Sequence, residues 1–215
     1  YSIHNYIIER KIGKGAYGEV YLGYKSSEEY DLLAVKKIKD EPKYKKSALK
    51  EIKLLKILRN PGNKYIINLL DDFIYKNVQY LVFEYMDINL YKFYKDYGRI
   101  LLKDEYKNII LSIARGIQYM HSFNIIHGDL KPENIMINFE NKDTKIIDFG
   151  SSFLEKSHYT NFYIQSRYYR APEVIYKINI GKEIDIWSYG CIIYELYVCY
   201  PLFNAKNENL LLHKF

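Results

Sequence analysis

Cysteine is nearly absent from this chain. Only Cys191 and Cys199 occur among 215 residues, both in one apolar segment. A disulfide framework is therefore not expected; two buried thiols in a reducing compartment are. No apolar run is long enough to span a bilayer. The opening stretch, YSIHNYIIERK, has no apolar core of the signal-peptide kind. Together these absences predict a protein of the cytoplasm or nucleus with no membrane partner. Internal repeats and low-complexity linkers are missing as well, so the chain reads as globular. Charge of one sign is only mildly in excess, with 32 basic against 26 acidic residues and a net +6. That suits an acidic ligand but does not mark a nucleic-acid binder, and no direct nucleic-acid contact is expected.

What is present is hydrophobic pattern. The length allows one large domain or two smaller lobes. Abundant Lys, Asn and Ile, with 25 tyrosines, read as the coding bias of an AT-rich genome. A tyrosine here signals function only by its position. Ile8–Ile12, Val20 with Leu22, and Leu33 with Val35 alternate like strands. Over Ser47–Leu58 the period changes. Leu49, Ile52, Leu55 and Ile57/Leu58 predict a helical stripe, ended by Asn60-Pro61-Gly62. Strands are expected over Ile66–Phe73 and Val78–Phe83, and a long helix over Leu101–Phe123. Short strands and loops follow over Ile125–Asp148, then a long loop over Asp148–Glu173. The nearly wholly apolar Ile184–Val198 predicts a deeply buried helix. Strands first and helices later imply an α+β protein. A small antiparallel sheet lobe with one helix is expected over 1–86, and a larger, mainly helical lobe over 87–215, joined near Glu84 to Asp87. The basic stretch Lys43-Tyr44-Lys45-Lys46 reads as a solvated loop leading into the first helix, or as a localisation signal.

Gly13-Lys14-Gly15-Ala16-Tyr17-Gly18 fits G-x-G-x-x-G. A dinucleotide site would need a helix directly after it, whereas Glu19-Val20-Tyr21-Leu22 alternates like a strand. The glycines therefore tip a hairpin: a plain turn, or a backbone that lies close over phosphates because no Cβ blocks the approach. Lys36, at the end of the next strand, gains meaning from Glu51 near the apolar stripe of the helix, since a paired lysine can grip phosphates with its charge fixed in place. The densest signal is His127-Gly128-Asp129-Leu130-Lys131-Pro132-Glu133-Asn134, followed by Asp148-Phe149-Gly150. Phosphoryl transfer needs a carboxylate to orient a hydroxyl proton, which suits Asp129. It needs oxygen ligands for magnesium, which suit Asn134 and Asp148, and it gains from a cation such as Lys131.

These motifs resemble the eukaryotic protein kinases over essentially the whole chain, and Ala171-Pro172-Glu173 and Asp185-Ile186-Trp187-Ser188-Tyr189-Gly190 extend the likeness. The resemblance implies a bilobal kinase fold with ATP and Mg²⁺ as cofactors. It implies that Phe83 is the gatekeeper, that Glu84 and Met86 lie at the hinge, and that Val20, Ala34 and Met136 form the apolar adenine sandwich. Ile12, just ahead of the glycines, joins that nucleotide-binding set. Asp185 would brace the catalytic loop.

Lys131 within Asp-Leu-Lys-Pro-Glu-Asn resembles serine/threonine kinases. Tyr163-Ile164-Gln165-Ser166-Arg167-Tyr168-Tyr169-Arg170 resembles the CMGC group, most of all the dual-specificity tyrosine-regulated (DYRK) kinases, with the homeodomain-interacting kinases next. That likeness implies autophosphorylation of Tyr163, with Arg167 and Arg170 pairing with the phosphate. It implies Ser/Thr-bearing protein substrates, proline after the phosphoacceptor as relatives often favour, and a monomer as the family default. Three departures stand out. Gly128 replaces the arginine of His-Arg-Asp, as in the DYRK and homeodomain-interacting relatives. Asn161 stands where a second loop tyrosine is common. The chain stops at Phe215, shortly after Pro201-Leu202-Phe203, and so reads as truncated before further helices. The alternatives to an active kinase are a pseudokinase-like scaffold and an inactive fragment. Lys36, Glu51, Asp129, Asn134 and Asp148 all being present argues against the scaffold.

Overall fold

The structure, a computed structural model, describes residues 1–15, 17–97, 102–155 and 163–215. Ala16, Leu101 and Asn161, singled out in the sequence, lie outside those residues. Two compact units are present: Tyr1–Pro61 with Ile67–Met86, and Gly62–Ile66 with Asp87–Phe215.

The smaller unit is one antiparallel sheet and one helix. Its strands are β1 (Ser2–Ile3), β2 (Tyr6–Lys14), β3 (Gly18–Lys25), β4 (Glu28–Ile38), β5 (Leu69–Tyr75) and β6 (Val78–Glu84). They lie in the order β1-β2-β3-β4-β6-β5. Side chains alternate between faces along a strand. Val35, Tyr80 and Val82 thus join Ile3, Tyr6, Ile8 and Leu33 in one cluster, with Phe73 stacked between Tyr6 and Tyr80.

The helix α1 (Pro42–Leu58) packs on β4, β5 and β6. It begins well before the expected Ser47, because Pro42 at the first turn has a preset φ and needs no N–H donor there. Lys43-Tyr44-Lys45-Lys46 is thus helix, not the expected loop. The buried face also differs in phase from the stripe expected. Ala48, Glu51, Ile52, Leu54, Leu55 and Leu58 face inward, while Leu49 is 60% and Ile57 40% exposed.

The larger unit contains β7 (Ile88–Asn89), α2 (Leu90–Tyr97), α3 (Lys103–Ser122), β8 (Ile125–Ile126), β9 (Ile135–Ile137), β10 (Thr144–Ile146), β11 (Phe153–Leu154), α4 (Pro172–Tyr176), α5 (Glu183–Val198) and α6 (Glu208–Leu212). Three short 3-10 turns, Pro132–Asn134, Phe149–Ser151 and Arg167–Tyr169, lie among them. Ile109, Ile113, Gly116, Ile117 and Met120 recur at helical spacing and form the buried face of α3, which packs on β10 and α5. The segment Gly62–Ile66 joins this unit because the Ile146 amide donates to Tyr65 O at 2.8 Å.

α5 departs from the deep burial expected of it. Ile186, Tyr194, Tyr197 and Val198 are exposed, whereas Asp185, Ser188 and Glu195 are fully buried. Its polar residues point inward because each holds a loop or a turn in place.

Candidate active site

In the smaller unit the glycine turn closes the β2–β3 hairpin, where Gly13 faces Val20 and Lys14 faces Glu19. The three glycines differ in what demands them. A Cβ on Gly18 would sit 1.9 Å from the Lys37 carbonyl oxygen, so β4 itself requires glycine there. A Cβ on Gly15 would meet nothing within 4 Å, and one on Gly13 only the Val20 side chain at 3.7 Å. Among the described residues, packing requires neither glycine. What their missing side chains provide is bare backbone towards an approaching ligand.

Lys36 on β4 meets Glu51 on the inward face of α1 at 2.8 Å, both side chains largely buried. The Tyr17 ring lies 5.6 Å from the same ammonium; nothing in its sequence position marked Tyr17 out. Val20 pairs with Lys36 across β3 and β4, and Ala34 with Phe83 across β4 and β6. Phe83 and Met86 are buried, and Ile12 and Val20 are half-buried. The Glu84 carboxylate accepts from the backbone and side-chain amides of Asn68 at 2.9 and 3.0 Å.

In the larger unit the loop from His127 to Asn134 is held from below. Asp185, at the start of α5, accepts from the His127 N–H at 2.8 Å and the Gly128 N–H at 3.0 Å. His121 Nε2 lies 2.9 Å from the same carboxylate. The His127 ring takes the Asp129 N–H on Nδ1 and faces Ile147 O through Nε2, which places its proton on Nε2. Gly128 has φ +73°, and a Cβ there would come within 3.2 Å of the Phe153 ring. The loop thus turns where a side chain would be strained, which accounts for glycine in the place of arginine.

Asp129 is gripped on both carboxylate oxygens. Oδ1 accepts from the Ser166 N–H at 3.0 Å and its hydroxyl at 2.7 Å. Oδ2 accepts from Lys131 Nζ at 2.8 Å and, more weakly, Asn134 Nδ2 at 3.3 Å. Lys131 also donates to Ser166 Oγ at 2.8 Å. Ser166 was not among the expected site residues. Asp148 adopts a left-handed conformation, φ +63°, which a non-glycine residue holds only when its surroundings fix it. Phe149 beside it is fully buried and packs edge-on against His127. Met136 lies on β9, between Lys145 and Asn89 of the flanking strands.

Tyr163 is 71% exposed, and the Arg170 guanidinium lies 4.5 Å from the centre of its ring. Arg170 is buried, donates to Ile164 O and Gln165 O, and forms an ion pair with Glu208. Arg167 donates to Lys206 O at 2.7 Å. Gln165 secures the same turn, donating to Ile184 O and Ser188 Oγ and accepting from the Ala171 N–H, each at 2.8 Å. Below it Glu195 accepts hydrogen bonds from the hydroxyls of Tyr94 and Tyr169. Burial pushes the Glu195 carboxyl up, and burial is also the largest cause raising both phenols. A cleft of about 650 Å³ opens beside Lys131, Glu133 and Ser166, walled by Tyr91, Tyr94 and Tyr168.

Residues 6–214 match the family model for the protein kinase domain. The chain belongs to the protein kinase family. Among curated relatives it is 41% identical to the probable dual specificity protein kinase YAK1 homolog of Encephalitozoon cuniculi, over 94% of this chain and 50% of the relative. It is 39% identical to human dual specificity tyrosine-phosphorylation-regulated kinase 4, over 95% of this chain and 40% of the relative. Mouse homeodomain-interacting protein kinase 4 is 35% identical, over 94% and 34%. The kinase domain described here thus spans half or less of the length of these relatives. The order of likeness, tyrosine-regulated kinases and then a homeodomain-interacting one, is the one read from Tyr163 to Arg170.

A kinase domain uses ATP with a divalent metal, and the donor set fits that use. Asn134 commits its Nδ2 to Asp129 O at 2.8 Å, which leaves the amide oxygen for a cation. With the Asp148 carboxylate this supplies hard oxygen ligands, as the smaller divalent cations prefer. The bare backbone at Gly13 and Gly15 fits a phosphate chain in the same way.

Proposed function

We propose that this kinase domain transfers the γ-phosphoryl group of ATP to serine or threonine hydroxyls of protein substrates, and that it phosphorylates its own Tyr163. The carrying observation is the fixed carboxylate of Asp129, held on both oxygens by Ser166, Lys131 and Asn134. A base so oriented accepts a hydrogen bond from the substrate hydroxyl and takes its proton as the bond to phosphorus forms. Lys131 offsets negative charge beside it. Lys36, steadied by Glu51, holds the α- and β-phosphates, and Gly13, Gly15 and Gly18 cover them with backbone. Ile12, Val20, Ala34 and Met136 sandwich the adenine in front of Phe83, with Glu84 and Met86 at the hinge between an N-terminal lobe (1–86) and a C-terminal lobe (87–215). Asn134 and Asp148 hold magnesium, which when bound screens the phosphate charge.

The substrate segment enters the cleft beside Lys131 and Ser166. One oxygen of Glu133 is buried there without a hydrogen-bond partner among the described residues. It favours substrates with a basic side chain near the phosphoacceptor; proline after the phosphoacceptor is suggested only by the likeness to relatives that favour it. Glu133→Gln should lessen a preference for arginine-bearing over neutral peptides, and an unchanged preference would remove Glu133 from that role. On Tyr163, phosphate would bring about two negative charges against Arg167 and Arg170 and order the segment.

Intact mass and peptide mapping of the chain and of Asp129→Asn provide the test. Phosphate on Tyr163 in the parent only, with Mg-ATP raising the melting temperature of both, is the expected outcome. Turnover should fall by about 10²–10⁴-fold in the variant. Near-parental turnover in Asp129→Asn would refute the assignment of the base. Tyr163→Phe should lower the rate and spare nucleotide binding; an unchanged rate would refute the regulatory role.

A further inference from the structure

The outer face of α1 combines unbalanced charge with exposed apolar side chains. The helix carries Lys43, Lys45, Lys46, Lys50, Lys53 and Lys56, and its single acid, Glu51, is turned inward to Lys36. Its first turn holds no acidic residue, and no side chain caps it. Lysines at that end oppose the helix dipole, whose positive pole lies there. Lys43, Lys45 and Lys56 have acidic neighbours in Glu41, Asp40 and Asp72. Lys46, Lys50 and Lys53 have no ion pair among the described residues. Spaced four and three apart, they stand in one row, about 5–6 Å from one to the next. The amine of Lys50 is held below the ordinary lysine range, by burial first; attraction to Glu51 opposes that shift and the weaker repulsion from Lys46 adds to it. Ile57 continues that row, and Leu49 stands one turn before Lys53. Both are exposed, at 40% and 60%.

We infer that this face docks an acidic protein segment carrying apolar anchors, its carboxylates meeting Lys46, Lys50 and Lys53 and its apolar side chains covering Leu49 and Ile57. Charge complementarity selects the sign of the partner. The two aliphatic side chains select protein over nucleic acid, because the row offers neither an aromatic platform for bases nor an arginine fork for phosphates. An acidic segment also relieves the repulsion within the row and the unfavourable charge at the start of the helix. Its length follows from the row: Lys46 to Ile57 spans about three turns.

The inference does not depend on phosphoryl transfer, so binding alone tests it. The probe is a fluorescein-labelled helical peptide of about three turns, with glutamates at four-residue spacing and two leucines between them. Its partner copy has serine for leucine. Fluorescence anisotropy against the whole chain should show saturable binding of the leucine peptide. Binding should weaken about tenfold or more in Lys46→Glu/Lys50→Glu/Lys53→Glu, from the loss of several partly exposed contacts. Lys→Gln at the same positions guards against misfolding by charge reversal and should weaken binding less. Leu49→Ser/Ile57→Ser, or the serine peptide, should weaken it several-fold. The inference is overturned if the leucine peptide does not bind, or if either set of variants binds as the parent does. It is equally overturned if leucine and serine peptides bind alike, or if a single-stranded oligonucleotide or an anionic phosphatidylserine vesicle binds more tightly than the peptide.

Discussion

Asp185→Asn isolates the contribution of one buried carboxylate to the catalytic loop. The parent side chain accepts from the His127 and Gly128 amides at 2.8 and 3.0 Å, with His121 at 2.9 Å. Asparagine is nearly the same size, so no cavity forms. Its amide offers one oxygen and one NH₂ group. With its oxygen towards His127, the NH₂ group faces the Gly128 N–H, and a buried donor loses its acceptor at about 1–3 kcal/mol. The hydrogen bonds that remain are no longer charge-assisted, which removes roughly another 1 kcal/mol. The sum is about 2–4 kcal/mol, and for a chain of this size each kcal/mol lowers Tm by about 2–4 °C. A fall of about 5–15 °C is expected. The assay is built in, because Trp187 is the only tryptophan and lies two residues along the same helix. Its emission therefore follows the unfolding of the larger unit. A Tm within about 2 °C of the parent would mean that the loop is held by something other than Asp185, and the positioning argument for Asp129 would fail with it.

Lys36→Met should take from the buried Glu51 carboxylate its lysine partner at 2.8 Å and destabilise the smaller unit by about 3–5 kcal/mol, while Lys36→Met/Glu51→Leu recovers much of that loss. Hydrogen exchange in peptides from β4 and α1 reads the effect, and simple additivity of the two single changes would refute the coupling. Glu195→Gln should alter the pH dependence of stability. The folded carboxyl holds its proton to higher pH than the unfolded one, because burial raises it. Its contribution is therefore fully present below the unfolded pKa and lost as pH rises through the folded one. The parent should lose stability relative to Glu195→Gln over that range in paired denaturant titrations. Parallel profiles would show that Glu195 does not titrate differently in the two states.

Local pattern carried much of the architecture. Strands β2 to β4 follow from alternation, and the pairing of Lys36 with Glu51 follows from a strand end and a helix face only fifteen residues apart. Where the prediction slipped, the residues on one side of a helix were ambiguous by themselves. In α1, leucine and isoleucine occur on both faces, so periodicity alone assigned Leu49 and Ile57 to the core. The structure puts Ala48 and Leu54 there instead, beside Ile52, Leu55 and Leu58 of the expected stripe. α5 defeats the same rule more thoroughly. Almost every residue on it is apolar, so hydropathy offers no face at all. The orientation is set by Asp185, Ser188 and Glu195, whose partners lie in distant segments.

The candidate site divides along the same line. Asp129, Asn134 and Asp148 stand out in the sequence because phosphoryl transfer calls for such groups and they fall in two short motifs, 127–134 and 148–150. Ser166 was not, because its hydrogen bond to Asp129 joins residues 37 apart in sequence. A serine between a glutamine and an arginine carries no signal until the fold closes that distance. The same holds for the lysines of α1. In the sequence, Lys43 to Lys46 read as a solvated loop or a localisation signal, and nothing marked Lys50 or Lys53. Only the helix brings Lys46, Lys50 and Lys53 into one row, and only the inward turn of Glu51 leaves that row without an acid of its own. The acid that pairs with Lys36 is thereby turned away from the outer face. That pairing on one side of α1 leaves an excess of lysine on the other.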